Sequence, residues 1–272
     1  MKKHGSTILL VLVFVLGLGI MLYPTVSNWW NEQHQSRAIA SYSENVADMK
    51  DEEKTAEIEK AKQYNESLRV NGAEPVLSDT ARAYYESILD ITGTGIMGYI
   101  EIPSIDVSLP IYHGVAESVL QVAVGHLEWS SLPVGGQSTH SILSAHRGLP
   151  SAKLFTNLDK LVEGDIFSIF VLDERFTYQV DQILIVEPHE VTSLSIIPGR
   201  DLCTLVTCTP YGINTHRLLV RGHRIENPKE TPKYNVISEA SKIDPVVTAP
   251  IIAIPFLFAL VMYVLIKYRK KK

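Results

Sequence analysis

The chain has 272 residues, 30 acidic and 25 basic side chains, and a formal net charge of −5. Every acidic group lies within residues 24–245, which hold 18 of the basic ones, so that stretch carries 18 − 30 = −12. Such a negative surface argues against nucleic acid as a partner, and fits either a basic partner or a surface kept acidic for solubility.

Residues 8–23 form an uncharged apolar run of 16 residues behind Lys2 and Lys3. Residues 1–30 therefore read as a membrane anchor or a secretory signal segment. No Ala-x-Ala cleavage site is present, and Thr25-Val26-Ser27 is a weak substitute for one. Residues 31–91 read as a helical stalk with no chemistry of its own. Its clearest helix, "MKDEEKTAEIEKAKQYNESL", has alternating charges suited to a solvated face. Gly72 and Pro75 in "VNGAEPVLSD" break that helix, and "DTARAYYESIL" restarts one behind a cap at Ser78 or Asp79.

From residue 92 the apolar pattern switches to period two, in short runs punctuated by Gly, Pro and Asn. Strands are expected over 96–114, 141–146, 165–172, 175–187, 202–208 and 217–226, with a short helix over 151–161. Residues 92–226 thus form one β-rich domain of ordinary size. Residues 227–245 link it to residues 246–266, an uncharged run of 21 that is long enough to span a bilayer. Residues 267–272 close the chain as a basic tail. The basic residues flank both apolar runs on their outer ends, which predicts an exported middle and two cytoplasmic termini.

The chemistry gathers in "TLVTCTPYGINTHRLLVRG" (204–222). Cys203 and Cys208 are five apart on one expected strand, so their side chains point to opposite faces and a disulfide between them is not expected. Cys208 closes a strand that Pro210 ends, because proline cannot donate to the ladder. A thiol at such a strand mouth is either a structural group or a nucleophile. The loop "TPYGINTH" returns the chain into "RLLVRG", which as an antiparallel neighbour sets Arg217 beside Cys208. A fixed cation there favours a thiolate and can hold a developing oxyanion; the alternative is an arginine snorkelling at a strand end. A cysteine nucleophile also needs a proton shuttle. The candidates are His113, His126, His140, His146, His189, His216 and His223. "SILSAHRGLP" places His146 at a strand mouth, His126 is its main rival, and His216 alternates to the face opposite Arg217. No zinc-type spacing and no phosphate loop occur in the sequence, so neither a metal nor a cofactor is expected.

The same stretch is similar to the signature of the sortase family, a Thr-Leu-x-Thr-Cys strand followed by an arginine. "SAHRGLPSAKLFTNLDKL" (144–161), "GIMGYIEIPSIDVSLPIYHG" (95–114) and "HLEWSSLPVGG" (126–136) resemble the class C, pilus-assembling branch, and the resemblance covers residues 90–225. It implies a closed eight-stranded β-barrel with short helices, behind a helical stalk and between two transmembrane helices. It further implies Cys208 as nucleophile, His146 as general acid and base, and Arg217 as stabiliser of the oxyanion or substrate. Thr207 is implied as a substrate contact; Tyr112, Leu132 and Pro133 lie in matching motifs and read as packing. The implied activity is a membrane-anchored cysteine transpeptidase of the Gram-positive cell surface. It would cleave Leu-Pro-x-Thr-Gly sorting signals between Thr and Gly through a thioacyl intermediate, and join pilins to a lysine amine. The alternatives are attachment of surface proteins to the wall peptide and a non-enzymatic adhesin or stalk. Class C enzymes commonly carry an Asp-Pro-aromatic lid. The nearest match is Glu74-Pro75-Val76, a longer acid with no aromatic, which implies a loose lid.

Overall fold

The computed structural model describes residues 5–72 and 77–228. The expected apolar segment at 246–266, the tail 267–272, most of the 227–245 linker, and the expected lid residues Glu74, Pro75 and Val76 lie outside the described residues. Helix α1 runs over Gly5–Asp48. It exposes Leu12, Leu16 and Ile20 in its apolar part. Among the described residues it is the one helix long and apolar enough to cross a membrane, a test that signal sequences also pass. Residues 31–229 form one compact unit, described from here on.

Period-two alternation yields eight strands. They are β1 (Ile96–Ile102), β2 (Val107–His113), β3 (Val124–His126), β4 (Thr139–Ser144), β5 (Ile166–Val171), β6 (Glu174–Val186), β7 (Asp201–Thr209) and β8 (His216–Arg224). They close in the order β1-β2-β3-β4-β7-β8-β6-β5. The pairs β2–β3 and β4–β7 are parallel, and the remaining pairs are antiparallel. Closure leaves no free sheet edge, which removes the main aggregation hazard of a β-protein. Inside, Phe167 and Tyr178 stack with ring centroids 5.5 Å apart. Gly222 makes room for them, since a Cβ there would meet Phe167 at 2.8 Å and Tyr178 at 2.9 Å.

Three local expectations change. The run 96–114 is two strands, because Pro103–Ile105 makes a 3-10 turn and Asp106 takes a left-handed φ of 53°. The helix expected over 151–161 shrinks to a 3-10 turn at Leu158–Lys160. Leu154 has a φ of 38° that breaks any helical run, while Ala152, Leu154, Phe155, Leu158 and Leu161 are buried in the core. Strand β3, three residues long, is too short to leave a periodic signal.

The larger correction concerns the stalk. Helix α2 (Asp51–Asn71) buries Ile58, Ala61, Tyr64, Asn65 and Leu68, a stripe at spacings of three and four that faces the barrel core. Side chains then tie the helices to barrel backbone. Tyr42 on α1 donates to the Met97 carbonyl (3.1 Å) and accepts from the Leu172 amide (2.8 Å). Tyr64 donates to the Glu128 carbonyl (2.7 Å). Asn65 pairs both ways with Leu132, donating at 3.0 Å and accepting at 2.7 Å. Helix α3 (Asp79–Ser87) starts at Ser78, whose hydroxyl accepts from Ala81, and buries Tyr85. Most charges on α2 occupy its outer side, whereas Lys54 pairs with Asp173 and Glu57 accepts from the Leu89 amide, so a helix that reads as solvated is half buried.

Asn65→Ala would leave the buried N–H of Leu132 without a partner, whereas the Leu132 carbonyl keeps the Val134 amide as its donor. Such an orphan costs about 1–3 kcal/mol, so equilibrium urea unfolding should show a lower midpoint at unchanged m-value. An unchanged midpoint would show that the tie contributes nothing.

Candidate active site

Strand β7 carries the thiol, and its alternation sorts the two cysteines. Cys203 and Leu205 face the barrel core, whereas Val206 belongs to a separate outer cluster. Cys208, two residues beyond Val206, shares that outer face and is partly exposed. Both cysteines are free. Burial pushes the Cys203 thiol well above its usual range, with the Asp201 carboxylate adding to the effect. Cys203 is therefore an inert core group.

Antiparallel pairing sets Cys208 directly opposite Arg217, and the step before it sets Val206 opposite Leu219. The Arg217 guanidinium donates through Nη1 to the carbonyls of His216 (3.1 Å) and Asn214 (3.3 Å). It is thus held by its own loop beside the thiol. On the other flank β4 runs parallel to β7, with Ser144 level with Val206. The Ala145 amide still donates to the Val206 carbonyl at 3.2 Å. The register ends at that pair; His146 follows two residues after Ser144, as Cys208 follows two after Val206, so both have the parity of the outer face. Thr207 is buried, and its hydroxyl donates to the Ala145 carbonyl at 2.8 Å. Its side chain therefore ties β7 to the His146 segment.

His146 bonds an acidic partner that the sequence does not single out. Its Nε2 lies 3.2 Å from both carboxylate oxygens of Glu117, on α4 (Glu117–Leu120). Glu117 is 29 residues away in sequence, so no local spacing could have signalled it.

The other histidines are engaged elsewhere. His126, the rival, is fully buried and held down to about 3 by desolvation. Its Nδ1 accepts from the Tyr85 hydroxyl (2.9 Å) and its Nε2 donates to the Ser131 carbonyl (2.8 Å). His113 contacts the carbonyls of Gly95 and Ile88. His140 spans from the Ser195 carbonyl to the Thr204 hydroxyl, and burial lowers its pKa. His216 pairs with Thr209 on the opposite face, His223 lies near Asp181, and His189 is exposed beside Glu187.

The outer cluster beside Cys208 is apolar. Ile142, Val206 and Leu219 form its floor, and Leu194 from the β6–β7 connection covers them, with Trp129 packed alongside. At the other side of the β7 end, a groove of about 720 Å³ is lined by Arg147, Asp159, Ile183, Thr209, Tyr211 and Leu218.

A closed eight-stranded barrel that presents a partly exposed cysteine in register with an arginine has the architecture of a cysteine transpeptidase. The comparisons agree. The sortase-domain family model matches residues 100–225. The crystal structure of sortase C1 from Streptococcus agalactiae is 53% identical, covers 70% of this chain and 99% of its own, and superposes with a TM-score of 0.69. Sortase C of Clostridium perfringens, solved with the C-terminal cell wall sorting motif, is 46% identical with a TM-score of 0.63, covering 71% and 100%. Sortase C of Streptococcus pneumoniae, whose structure addresses catalysis and pilin substrate specificity, is 44% identical with a TM-score of 0.64, covering 72% and 99%. The chain belongs to the sortase family of cysteine transpeptidases, and these structural neighbours are class C enzymes.

A bulky thiol reagent applied to the native protein should label Cys208 alone, because Cys203 is wholly inaccessible. Peptide mass mapping checks this. A Cys203 adduct without unfolding would contradict the assignment of faces.

Proposed function

We propose that this chain is a membrane-anchored pilin-joining transpeptidase in which Cys208 is the nucleophile, His146 the general acid and base, and Arg217 the oxyanion or substrate stabiliser. The observation that carries this reading is the in-register pair Cys208–Arg217, with His146 at the end of the adjoining parallel strand. The domain limits 31–91 and 92–226, the linker, the second transmembrane helix and the cytoplasmic termini belong to the same proposal.

In this mechanism Cys208 attacks the threonine carbonyl of a Leu-Pro-x-Thr-Gly signal. Arg217 steadies the negative oxygen that forms, and His146 gives a proton to the departing glycine amine. The resulting thioacyl enzyme is attacked by a lysine amine of a second pilin. His146 takes up the proton of that amine as the isopeptide bond forms and the thiolate leaves. The apolar floor of Ile142, Val206 and Leu219 lies beside the reaction centre and suits the apolar residues of the signal. The class C neighbours, one bearing a sorting motif and one concerned with pilin specificity, support a pilin substrate. The charge of −12 over residues 24–245 suits a basic acceptor.

The test is turnover of a sorting-signal peptide with a lysine-bearing pilin and, separately, with a wall-peptide amine. Cys208→Ala should form no thioacyl adduct. His146→Ala should lose about 10²–10⁴-fold, and Arg217→Ala about 10²–10³-fold. Arg217→Lys should not recover, because an ammonium lacks the planar fork. Transfer to the wall amine alone would replace pilin joining with wall attachment, and no transfer at all would favour an adhesin.

A further inference from the structure

We propose that Glu117 is a positioning residue for His146. Its carboxylate holds Nε2 and leaves Nδ1 as the nitrogen that exchanges protons with Cys208 and the leaving amine. The inference rests on the proposed roles of Cys208 and His146 and adds to them a residue that no family motif above contains.

The geometry is two-pronged. Both carboxylate oxygens lie 3.2 Å from the same ring nitrogen, so either can accept its proton. Because Nε2–H donates to Glu117, the proton relay falls to Nδ1. The carboxylate is fixed from its own helix, where Gln121 Nε2 donates to Glu117 Oε1 at 3.1 Å. That bond first, and then the bond and charge of His146, hold the Glu117 carboxyl below the usual carboxylate range. An anion therefore faces His146 throughout the neutral range.

The segment bearing Glu117 is itself pinned. Gly125 on β3 allows it to pack close: a Cβ there would meet the Gly114 carbonyl at 2.4 Å and Leu120 at 3.1 Å. From α1, Gln35 donates to the Val122 carbonyl at 2.7 Å. Glu117 is thus delivered to His146 by a backbone held from two sides. Three further charged or titratable groups lie at this end of the sheet. Cys208 comes from β7 and Arg217 from β8, while Arg147, the chain neighbour of His146, is paired with Asp159 under the Tyr211 ring. Among the described residues Glu117 is the anion that contacts the imidazole ring.

The proton balance follows. Transfer of the Cys208 proton to Nδ1 makes a thiolate and an imidazolium, and Glu117 stabilises the cation. The imidazolium then protonates the leaving amine, returning to neutral. In the second half it takes the proton of the incoming amine. Glu117 keeps its own charge throughout. It is 67% exposed, so water screens it and its effect is modest.

The experiment uses the full chain in detergent, with a sorting-signal peptide as donor and a lysine peptide as acceptor. Glu117→Gln should lower kcat about three- to tenfold with little change in KM. Glu117→Asp should recover most of the rate. In a His146→Ala background, Glu117→Gln should add no further loss. A Glu117→Gln enzyme with unchanged kcat, against an inactive His146→Ala, overturns the positioning role alone. An active His146→Ala enzyme overturns the proposed mechanism instead.

Discussion

The site depends on the two different pairings of a single strand. β7 bonds in parallel to β4 and antiparallel to β8, so its end is flanked by a strand end on one side and a returning strand on the other. Parallel pairing lets the chain leaving β4 continue past Val206 in the direction of the β7 end, and His146 follows two residues after β4 closes. Antiparallel pairing brings Arg217 back to the level of Cys208 after a short loop. A one-residue slip of either register would turn that partner to the other face. The closed barrel opposes such a slip, because every strand is bonded on both sides.

Thr207 shows how closely this arrangement is secured. Adjacent to the thiol yet buried, it bonds the Ala145 carbonyl across the β4–β7 seam just before His146. An outward thiol thus follows an inward residue that holds the neighbouring segment in place. The same alternation gives two thiols opposite fates on one strand. Cys203 meets only the core and keeps its proton, whereas Cys208 meets solvent and an arginine.

The helices act on the barrel rather than away from it. Tyr42, Tyr64 and Asn65 satisfy backbone groups of the barrel strands and connections, doing for the loops what ladder bonds do within strands. Gln35 reaches the segment that follows α4. The surroundings of the candidate site are therefore partly built by residues that read as a membrane-proximal spacer.

Sequence alone was enough for whatever is local or periodic. The strand runs, the opposite faces of Cys203 and Cys208, the antiparallel return to Arg217 and the cap at Ser78 all follow from alternation, proline chemistry and capping, which act over a few residues. Sequence alone also left His146 and His126 as rivals, since both sit in apolar runs that could end in a mouth. Tertiary structure separated them by enclosing His126 between Tyr85 and Ser131 and leaving His146 at the surface. It also decided the packing of α2, the bond from Thr207 to the Ala145 carbonyl, and the contact between Glu117 and His146. Each of these depends on which distant backbone or side chain arrives opposite, and barrel closure sets that between residues tens of positions apart, where no periodic signal reaches.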